Sequence, residues 1–192
     1  MLMFSIILIR IFDILISLYL LVLLLPLYLI ISLLILIFDG KPIHYLSNRI
    51  GKLGKIFQIY KFRTMKVKYN NNQIDEITVL GKFLRRTSLD EIPQLINVIK
   101  NDMSIVGPRP LPHNIENNIS KNLVSIRRTI KPGITGYAQI NFNKKKRTWD
   151  EKIELDIIYI KNITILKYFY IIILTIPVIF RRFKFNFKGE SL

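Results

Sequence analysis

The chain has 192 residues, no cysteine and two histidines, and its formal net charge at pH 7 is +16. The lack of cysteine excludes disulfides and cysteine-ligated metal sites, and His44 and His113 are too widely spaced to indicate a metal-ligand cluster. Such a basic chain is expected to bind polyanions, which include nucleic acid, anionic lipid and phosphorylated substrates. Its length suits one domain with a membrane anchor better than two full domains.

The first long feature is an uncharged, almost wholly apolar run of 25 residues at positions 14–38. A straight helix of that length would reach roughly 37 Å, enough to cross a bilayer with some tilt. No small-residue cleavage signal follows it, so we expect a retained anchor rather than a secretory signal. Pro26 lies near its middle, which is compatible with a kinked spanning helix or with a re-entrant hairpin.

Charges around this run indicate which side of the membrane holds the rest of the chain. Arg10 precedes the run, whereas Lys41, Arg49, Lys52 and Lys55 follow it. The positive-inside rule therefore places the globular part in the cytoplasm, although it does not settle the short N-terminus. We predict a membrane helix over residues 1–40 and a domain on the cytoplasmic face over residues 41–192.

A basic segment at positions 49–68 has the alternation of a β-strand. Phe57 and Ile59 alternate with Gln58 and Tyr60, and the pattern ends near Lys61. The segment is either a solvated edge resting on anionic headgroups or part of a phosphate-binding site.

The stretch at residues 84–112 holds the adjacent carboxylates Asp90 and Glu91. Apolar residues after them recur at helical spacing, and Ser88 to Glu91 has the pattern of a capping box. Pro93 is then expected in the first helical turn. Both carboxylates would lie at the positive end of a helix dipole, which favours their ionised forms.

Two interpretations of this carboxylate pair remain open from the residues alone. Aspartate and glutamate at the start of a helix are ordinary caps. A carboxylate among several cations can instead bind Mg²⁺ and phosphate together, or attack phosphorus as a nucleophile.

The C-terminal third has several recognisable segments. Lys131-Pro132-Gly133 is typical of a turn in which glycine supplies positive φ. Residues 144–147 form a KKKR run, and residues 150–161 have helical spacing. The apolar run at 168–180 has 13 residues, too few to span a bilayer comfortably. We expect it to be membrane-associated, with a buried core helix as the alternative.

The ordered blocks of this chain resemble the bacterial sugar transferase family, the membrane-bound polyprenyl-phosphate phosphoglycosyl transferases. The matching blocks are RIFD at 10–13, RIGKLGKIFQIYKFRTM at 49–65, LRRTSLDEIPQL at 84–95, MSIVGPRPLP at 103–112 and KPGITGYAQIN at 131–141. The resemblance is to the short form of the family, and it favours the re-entrant hairpin. Family members usually have serine before the helix proline, where this chain has Leu25.

The resemblance implies a small α/β catalytic domain that is mostly helical, with short strands and membrane-interface helices. It implies transfer of a phosphosugar from a UDP-sugar to polyprenyl (undecaprenyl) phosphate at the inner membrane, as the first membrane step of surface glycan synthesis. Asp90 would be the nucleophile and a ligand of Mg²⁺, with Glu91 assisting as a base or orienting group. The implied substrate-binding residues are Lys61, Arg63, Arg85, Arg86, Pro108, Arg109, Pro110, Gly133, Gly136 and Gln139.

Two functional hypotheses follow. The first is this enzyme, with membrane lipids as partners, no nucleic acid, and downstream glycosyltransferases acting on its product. The second is a non-catalytic basic membrane module that binds anionic lipid or nucleic acid, and it gives Asp90 and Glu91 no role. The sequence names neither the sugar, the glycan pathway nor the oligomeric state.

Overall fold

The computed structural model describes residues 2–67, 76–112, 119–141 and 148–186, with side chains for residues 4–180 of these ranges. The described chain is mostly helical with short strands, as the resemblance implies. Its helices are α1 (Leu2–Leu23), α2 (Leu25–Phe38), α3 (Val79–Thr87), α4 (Gln94–Ile99), α5 (Lys121–Arg127), α6 (Tyr137–Ile140), α7 (Trp149–Lys161) and α8 (Ile165–Asn186). Its strands are β1 (His44–Ile50), β2 (Ile56–Phe62), β3 (Ser104–Val106) and β4 (Gly133–Thr135), and short 3₁₀ turns cover Lys52–Gly54 and Leu89–Glu91.

The N-terminal apolar run forms two helices that meet at a kink. Leu24 has φ −90° and ψ 1°, and Pro26 lies in the first turn of α2. Proline fits there because its missing N–H has no partner in a first helical turn. Within the described residues, Phe4–Leu23 is the one helix long and apolar enough to cross a membrane.

Helix α1 is fastened to the globular part by two polar side chains. Arg10 donates to the carbonyls of Val98 (2.8 Å) and Ile99 (3.2 Å) at the end of α4, where helical carbonyls lack intrahelical partners. Asp13 accepts from three donors, which are Ser104 Oγ (3.0 Å), Ile105 N (2.9 Å) and Tyr168 Oη (2.9 Å). These bonds hold α1 against α4, β3 and α8.

Helix α2 packs on a different part of the same domain. Ile31 and Ile35 are buried in a cluster with Phe62, Leu84 and Leu95. Beyond its end, the side chain of Asp39 accepts from Thr78 Oγ1 at 3.0 Å. The two helices thus contact the globular domain along both of their lengths.

Strands β1 and β2 form an antiparallel hairpin, and β2 confirms the strand that the alternation of residues 56–61 predicts. Arg49 pairs with Phe57, Ser47 with Ile59, and Tyr45 with Lys61. Phe57 and Ile59 are buried in the core. Because directly opposed residues project to the same face of a sheet, Arg49 lies on the face that carries Lys61.

Strands β3 and β4 pair in parallel, with Ser104 opposite Gly133 and Val106 opposite Thr135. The predicted turn with positive φ at Gly133 is wrong, because Gly133 begins β4 with an extended backbone. Glycine is required at position 133 because the backbone of Gly107 approaches it closely. A Cβ on Gly133 would overlap the backbone nitrogen of Gly107, and one on Gly136 would overlap the carbonyl oxygen of Gly107.

Helices α5 and α7 pack together at one side of the domain. Their contact is a cluster of buried apolar side chains, namely Leu111, Ile119, Val124, Ile153 and Ile157. The prediction of a helix over 150–161 is confirmed by α7. The KKKR run and most of the Asn-rich segment, residues 142–147 and 113–118, lie outside the described residues.

Helix α8 covers the second apolar run, and its buried face confirms the core-helix alternative, whereas membrane association stays a prediction. Tyr168 and Ile171 are fully buried in the core, whereas Tyr170, Ile173 and Phe180 are exposed. The helix continues through Pro177. One face is therefore a core element and the other is an unpaired apolar surface.

Candidate active site

Asp90 and Glu91 lie on the 3₁₀ turn between α3 and α4. Ser88 ends α3 with φ 59°, and its side chain makes no capping hydrogen bond to the turn. The predicted capping box is therefore wrong, because α4 begins only at Gln94 and the Glu91 side chain is bound elsewhere. Leu95, Ile96 and Ile99 do lie on a helix, as predicted.

Glu91 is bound by two cations that arrive from different elements. Its Oε1 accepts from Lys61 Nζ at 2.7 Å and from Arg109 Nη2 at 2.8 Å. Burial by itself raises the pKa of Glu91, but the charges and hydrogen bonds of Arg109 and Lys61 outweigh it and lower that pKa to about 2. Glu91 is therefore ionised throughout the physiological pH range.

Asp90 has a contrasting environment although it is the adjacent residue. Its Oδ2 lies 3.9 Å from Lys61 Nζ, and it accepts no hydrogen bond from the described residues. Burial, followed by the neighbouring charge of Glu91, raises the pKa of Asp90 to about 6 against the opposing effects of Lys61, Arg109 and Arg85. The expectation of a favoured ionised form thus holds for Glu91 and fails for Asp90, because burial outweighs the cations there.

Of the predicted arginines, Arg109 and Arg85 act on the carboxylate pair. Arg109 lies beside the carboxylates with its side chain 45% exposed, so it has room for a ligand. Arg85 lowers the pKa of Asp90 by its charge, and its Nε donates to Thr64 Oγ1 at 2.8 Å. Arg86 follows it in the last turn of α3.

Arg63 makes contacts of another kind. Its buried guanidinium donates to the carbonyls of Lys41 (2.8 Å), Asp39 (2.6 Å) and Gly40 (2.7 Å). These bonds close the connection between α2 and β1. A phosphate contact by Arg63 stays a prediction, and it would compete with three hydrogen bonds.

The two prolines around Arg109 are buried and hold its backbone. The carbonyl of Pro108 accepts from Gly133 N at 2.9 Å. Through this bond β4 supports the Arg109 loop. Gly133, Gly136, Pro108 and Pro110 therefore support the site through the backbone.

Beside the carboxylates is a largely apolar cleft of about 380 Å³. Glu91 and Arg109 lie on its wall together with apolar side chains from the N-terminal helix pair and from α8, among them Leu24 and Val178. Gln139 also lines it, and its buried Oε1 has no hydrogen-bond partner among the described residues. The cleft thus joins the charged pair to the N-terminal helices.

Arg49 is a site residue that sequence reasoning treated only as part of a basic segment. It is half-buried on β1, where burial lowers its pKa; Tyr45 opposes this shift and the charge of Arg109 adds to it. Its neighbour Arg109 is a second cation, so the pair attracts anions. The strand pairing places Arg49 opposite Phe57, on the hairpin face that also carries Lys61.

The residues fit a metal ion that is shared with a substrate. Among the residues the structure describes, no three acidic or histidine side chains cluster as a metal site. Of the two site carboxylates, Glu91 binds Lys61 and Arg109 through Oε1, whereas the Asp90 carboxylate accepts no hydrogen bond from the described residues. Mg²⁺ is commonly bound by one or two carboxylates with substrate phosphates and water, and that donor set suits this position.

Comparison with known proteins identifies the family. Residues 4–182 match the bacterial sugar transferases. The chain belongs to this family. It is 39% identical over 159 residues to the galactosyl transferase CpsE of Streptococcus agalactiae, covering 73% of this chain and 35% of that protein.

Two further relatives differ in length. The UDP-glucose:undecaprenyl-phosphate glucose-1-phosphate transferase of Escherichia coli is 36% identical over 163 residues, which are 78% of this chain and 35% of that protein. The exopolysaccharide production protein ExoY of Sinorhizobium fredii is 34% identical over 192 residues, covering 88% of this chain and 84% of that protein. The chain thus spans about a third of the longer relatives and most of the shorter one.

Proposed function

We propose that this chain transfers a sugar 1-phosphate from a UDP-sugar to a polyprenyl phosphate such as undecaprenyl phosphate, releasing UMP. The observation that carries the proposal is the buried Asp90 carboxylate, which no described donor binds, beside a cation-bound Glu91 at the wall of an apolar cleft. The names of the relatives support the reaction class, and they differ in the sugar.

In the first step an oxygen of Asp90 attacks the phosphorus that carries the sugar. A carboxylate is a weak nucleophile, but it needs no general base once ionised and forms an acyl phosphate. A bond forms between Asp90 and that phosphorus, and the bridging oxygen leaves with its electron pair as part of UMP. The product of this step is an aspartyl phosphosugar.

In the second step a phosphate oxygen of the polyprenyl phosphate attacks the same phosphorus. The bond to Asp90 breaks, which restores the free carboxylate and yields polyprenyl diphosphosugar. The cleft beside Glu91 and Arg109 suits the first isoprene units of such an acceptor, because apolar side chains of α1, α4 and α8 line it.

Glu91 acts in this scheme by orienting cations. A carboxyl with a pKa of about 2 is a poor proton acceptor near neutral pH. Its two hydrogen bonds hold Lys61 and Arg109 beside Asp90, where they reduce repulsion between the nucleophile and an anionic donor. Mg²⁺, with Asp90 as its protein ligand, would neutralise the diphosphate charge when bound.

The direct test maps a covalent label. The protein is incubated with UDP-sugars labelled in the sugar, without acceptor, then denatured and digested. Label on Asp90 with one UMP released per label is expected. Label on Glu91, or UMP release only when both substrates are bound, would overturn the assignment. Failure to release UMP with any donor and acceptor would favour the non-catalytic membrane module.

The proposal includes a re-entrant N-terminal segment and a catalytic domain on the cytoplasmic face of the inner membrane. It is supported by contacts at both ends of the helix pair, Arg10 with α4 and Asp39 with Thr78. Single cysteines are introduced at Ser5 and Ser47 and exposed to an impermeant thiol reagent in intact cells. Protection at both sites, reversed by permeabilisation, is expected. Labelling at Ser5 alone would demonstrate a spanning helix.

A further inference from the structure

A buried ion pair between α5 and α7 lies behind the active site. Arg127 at the end of α5 donates from Nε to Asp156 Oδ2 of α7 at 3.0 Å. Both side chains are almost fully buried. Burial, opposed by the charge and hydrogen bond of Arg127, raises the pKa of Asp156 to about 6.

The same guanidinium makes a second contact, toward the active site. Arg127 Nη2 donates to the backbone carbonyl of Arg109. Arg109 is the residue whose side chain binds Glu91. One rigid, planar group therefore joins α7, α5 and the loop between Pro108 and Pro110.

Packing alone does not explain why a charge pair occupies this position. Leu111, Ile119, Val124, Ile153 and Ile157 already join α5 to α7 through apolar contacts. A buried ion pair is often no more stabilising than apolar residues of the same volume. Arginine adds what an apolar side chain lacks, namely a directed donor for the Arg109 carbonyl.

We propose that Arg127, oriented by Asp156, is a positioning residue that holds the Arg109 backbone so that its guanidinium meets Glu91 and the donor phosphates. The Glu91 part stands on the contacts above, and the phosphate part rests on the proposed function. Pro108 and Pro110 restrict the loop on either side, so the orientation of the Arg109 carbonyl determines the direction of its side chain. Neither Arg127 nor Asp156 touches substrate in this scheme.

The test is a double-mutant cycle between Arg127 and Arg109. Arg127→Lys keeps the charge but cannot satisfy Asp156 and the Arg109 carbonyl with the same fork geometry. With Arg109 present, it is expected to lower kcat/KM by about tenfold to a hundredfold, since small misplacements in a site cost that much. With Arg109→Ala, the same change should alter kcat/KM less than about twofold, because nothing remains to be positioned.

A second readout does not depend on turnover. The carboxyl ¹³C signal of Glu91 is titrated by NMR, with Glu91→Gln used to assign it. Arg127→Lys should raise the Glu91 pKa in the Arg109 protein and leave it unchanged in Arg109→Ala. This measurement also decides the Glu91 part of the proposal if no UDP-sugar is turned over, an outcome that would count against the proposed function alone.

Controls separate positioning from general destabilisation. Lys66→Gln removes the exposed pair Lys66–Glu76 and should leave both readouts unchanged. Asp156→Asn replaces Arg127→Lys if that variant does not fold, and is expected to shift both readouts in the same direction. An equal fold-loss in both Arg109 backgrounds, or an unshifted Glu91 titration, would overturn the proposal.

Discussion

Two buried aspartates in this protein, Asp13 and Asp90, show how similar burial can serve opposite purposes. Asp13 is 2% exposed and Asp90 is 8% exposed. One oxygen of Asp13 accepts from Ser104, Ile105 and Tyr168, whereas Asp90 accepts no hydrogen bond from the described residues. Burial alone therefore does not mark a reactive carboxylate. What distinguishes Asp90 is that its oxygens are not already bound by the protein.

The energetic consequences differ in the same way. Three hydrogen bonds offset part of the desolvation of Asp13, and through them Asp13 ties α1 to the domain. Asp90 is stabilised only by cations at a distance, and its raised pKa reports the remaining penalty. Proteins accept such local costs at functional sites, where a group must react with a ligand.

The largest effect that tests this comparison is expected for Asp90→Asn. Asparagine keeps the shape but removes the nucleophile, so UMP release should fall by at least about 10³-fold. Thermal unfolding should be unchanged or shifted upward, because a buried charge without hydrogen bonds has been removed. Turnover is measured by UMP release and stability by circular dichroism. Residual activity is checked by mass spectrometry for deamidation back to aspartate.

Removal of divalent metal ions should affect the role of Asp90 in catalysis and leave the structural role of Asp13 unchanged. Activity should vanish with EDTA and return with Mg²⁺ or Mn²⁺, since Asp90 can share a hard cation with the donor diphosphate. The Asp13 contacts should be unaffected, so the melting temperature in EDTA should stay the same. Full turnover in chelator would remove the metal from the mechanism and leave Arg109 and Lys61 to neutralise the phosphates.

Asp13→Ala should have the reverse profile of Asp90→Asn. It leaves the donors of Ser104, Ile105 and Tyr168 without their acceptor, which costs about 3 kcal/mol of unfolding free energy. The folded fraction should retain catalysis within a few-fold, because Asp13 does not touch the carboxylate pair. Denaturant unfolding and active-site titration with labelled donor measure the two effects. Normal stability with lost turnover would contradict the structural role of Asp13.

Glu91→Gln sharpens the contrast within the pair itself. It removes the anion that holds Lys61 and Arg109, so kcat/KM should fall by roughly 10²-fold. Lys66→Gln, on an exposed surface pair, is the matched control and should stay near the wild-type value. Full activity in Glu91→Gln would contradict the proposed role of Glu91 in orienting Lys61 and Arg109.

The smallest expected effect is on pH dependence. Only the ionised Asp90 can attack, and its pKa is about 6, so activity should fall tenfold per unit as pH decreases below that value. The charge of Glu91 raises the Asp90 pKa, so the residual activity of Glu91→Gln should decline only at lower pH. Initial rates from pH 4.5 to 8 measure the acid-side decline of activity in the wild-type protein and in Glu91→Gln. An acid limb that stays in place in the variant would mean that another group titrates.

Local pattern was sufficient for several elements of the fold. Alternation at residues 56–61 predicted β2, and helical spacing predicted α4 and α7, because side-chain periodicity reports which face of one element is buried. The length and apolar composition of the run at 14–38, with Pro26 near its middle, predicted a kinked helix or a helical hairpin. Ser88 and Gly133 were misread because capping and turn motifs also occur where tertiary packing decides the backbone.

The sequence by itself determined the carboxylate pair, the basic composition, the main helices and, through the resemblance, the family and most candidate residues. Only the tertiary structure decided what each residue contacts. Glu91 meets Lys61 30 positions away and Arg109 18 positions away, and no local period encodes such contacts. Packing also directed Arg63 to backbone carbonyls and brought Arg127 behind Arg109. The opposite pKa shifts of adjacent Asp90 and Glu91 arise because burial and charge depend on neighbours that folding brings together.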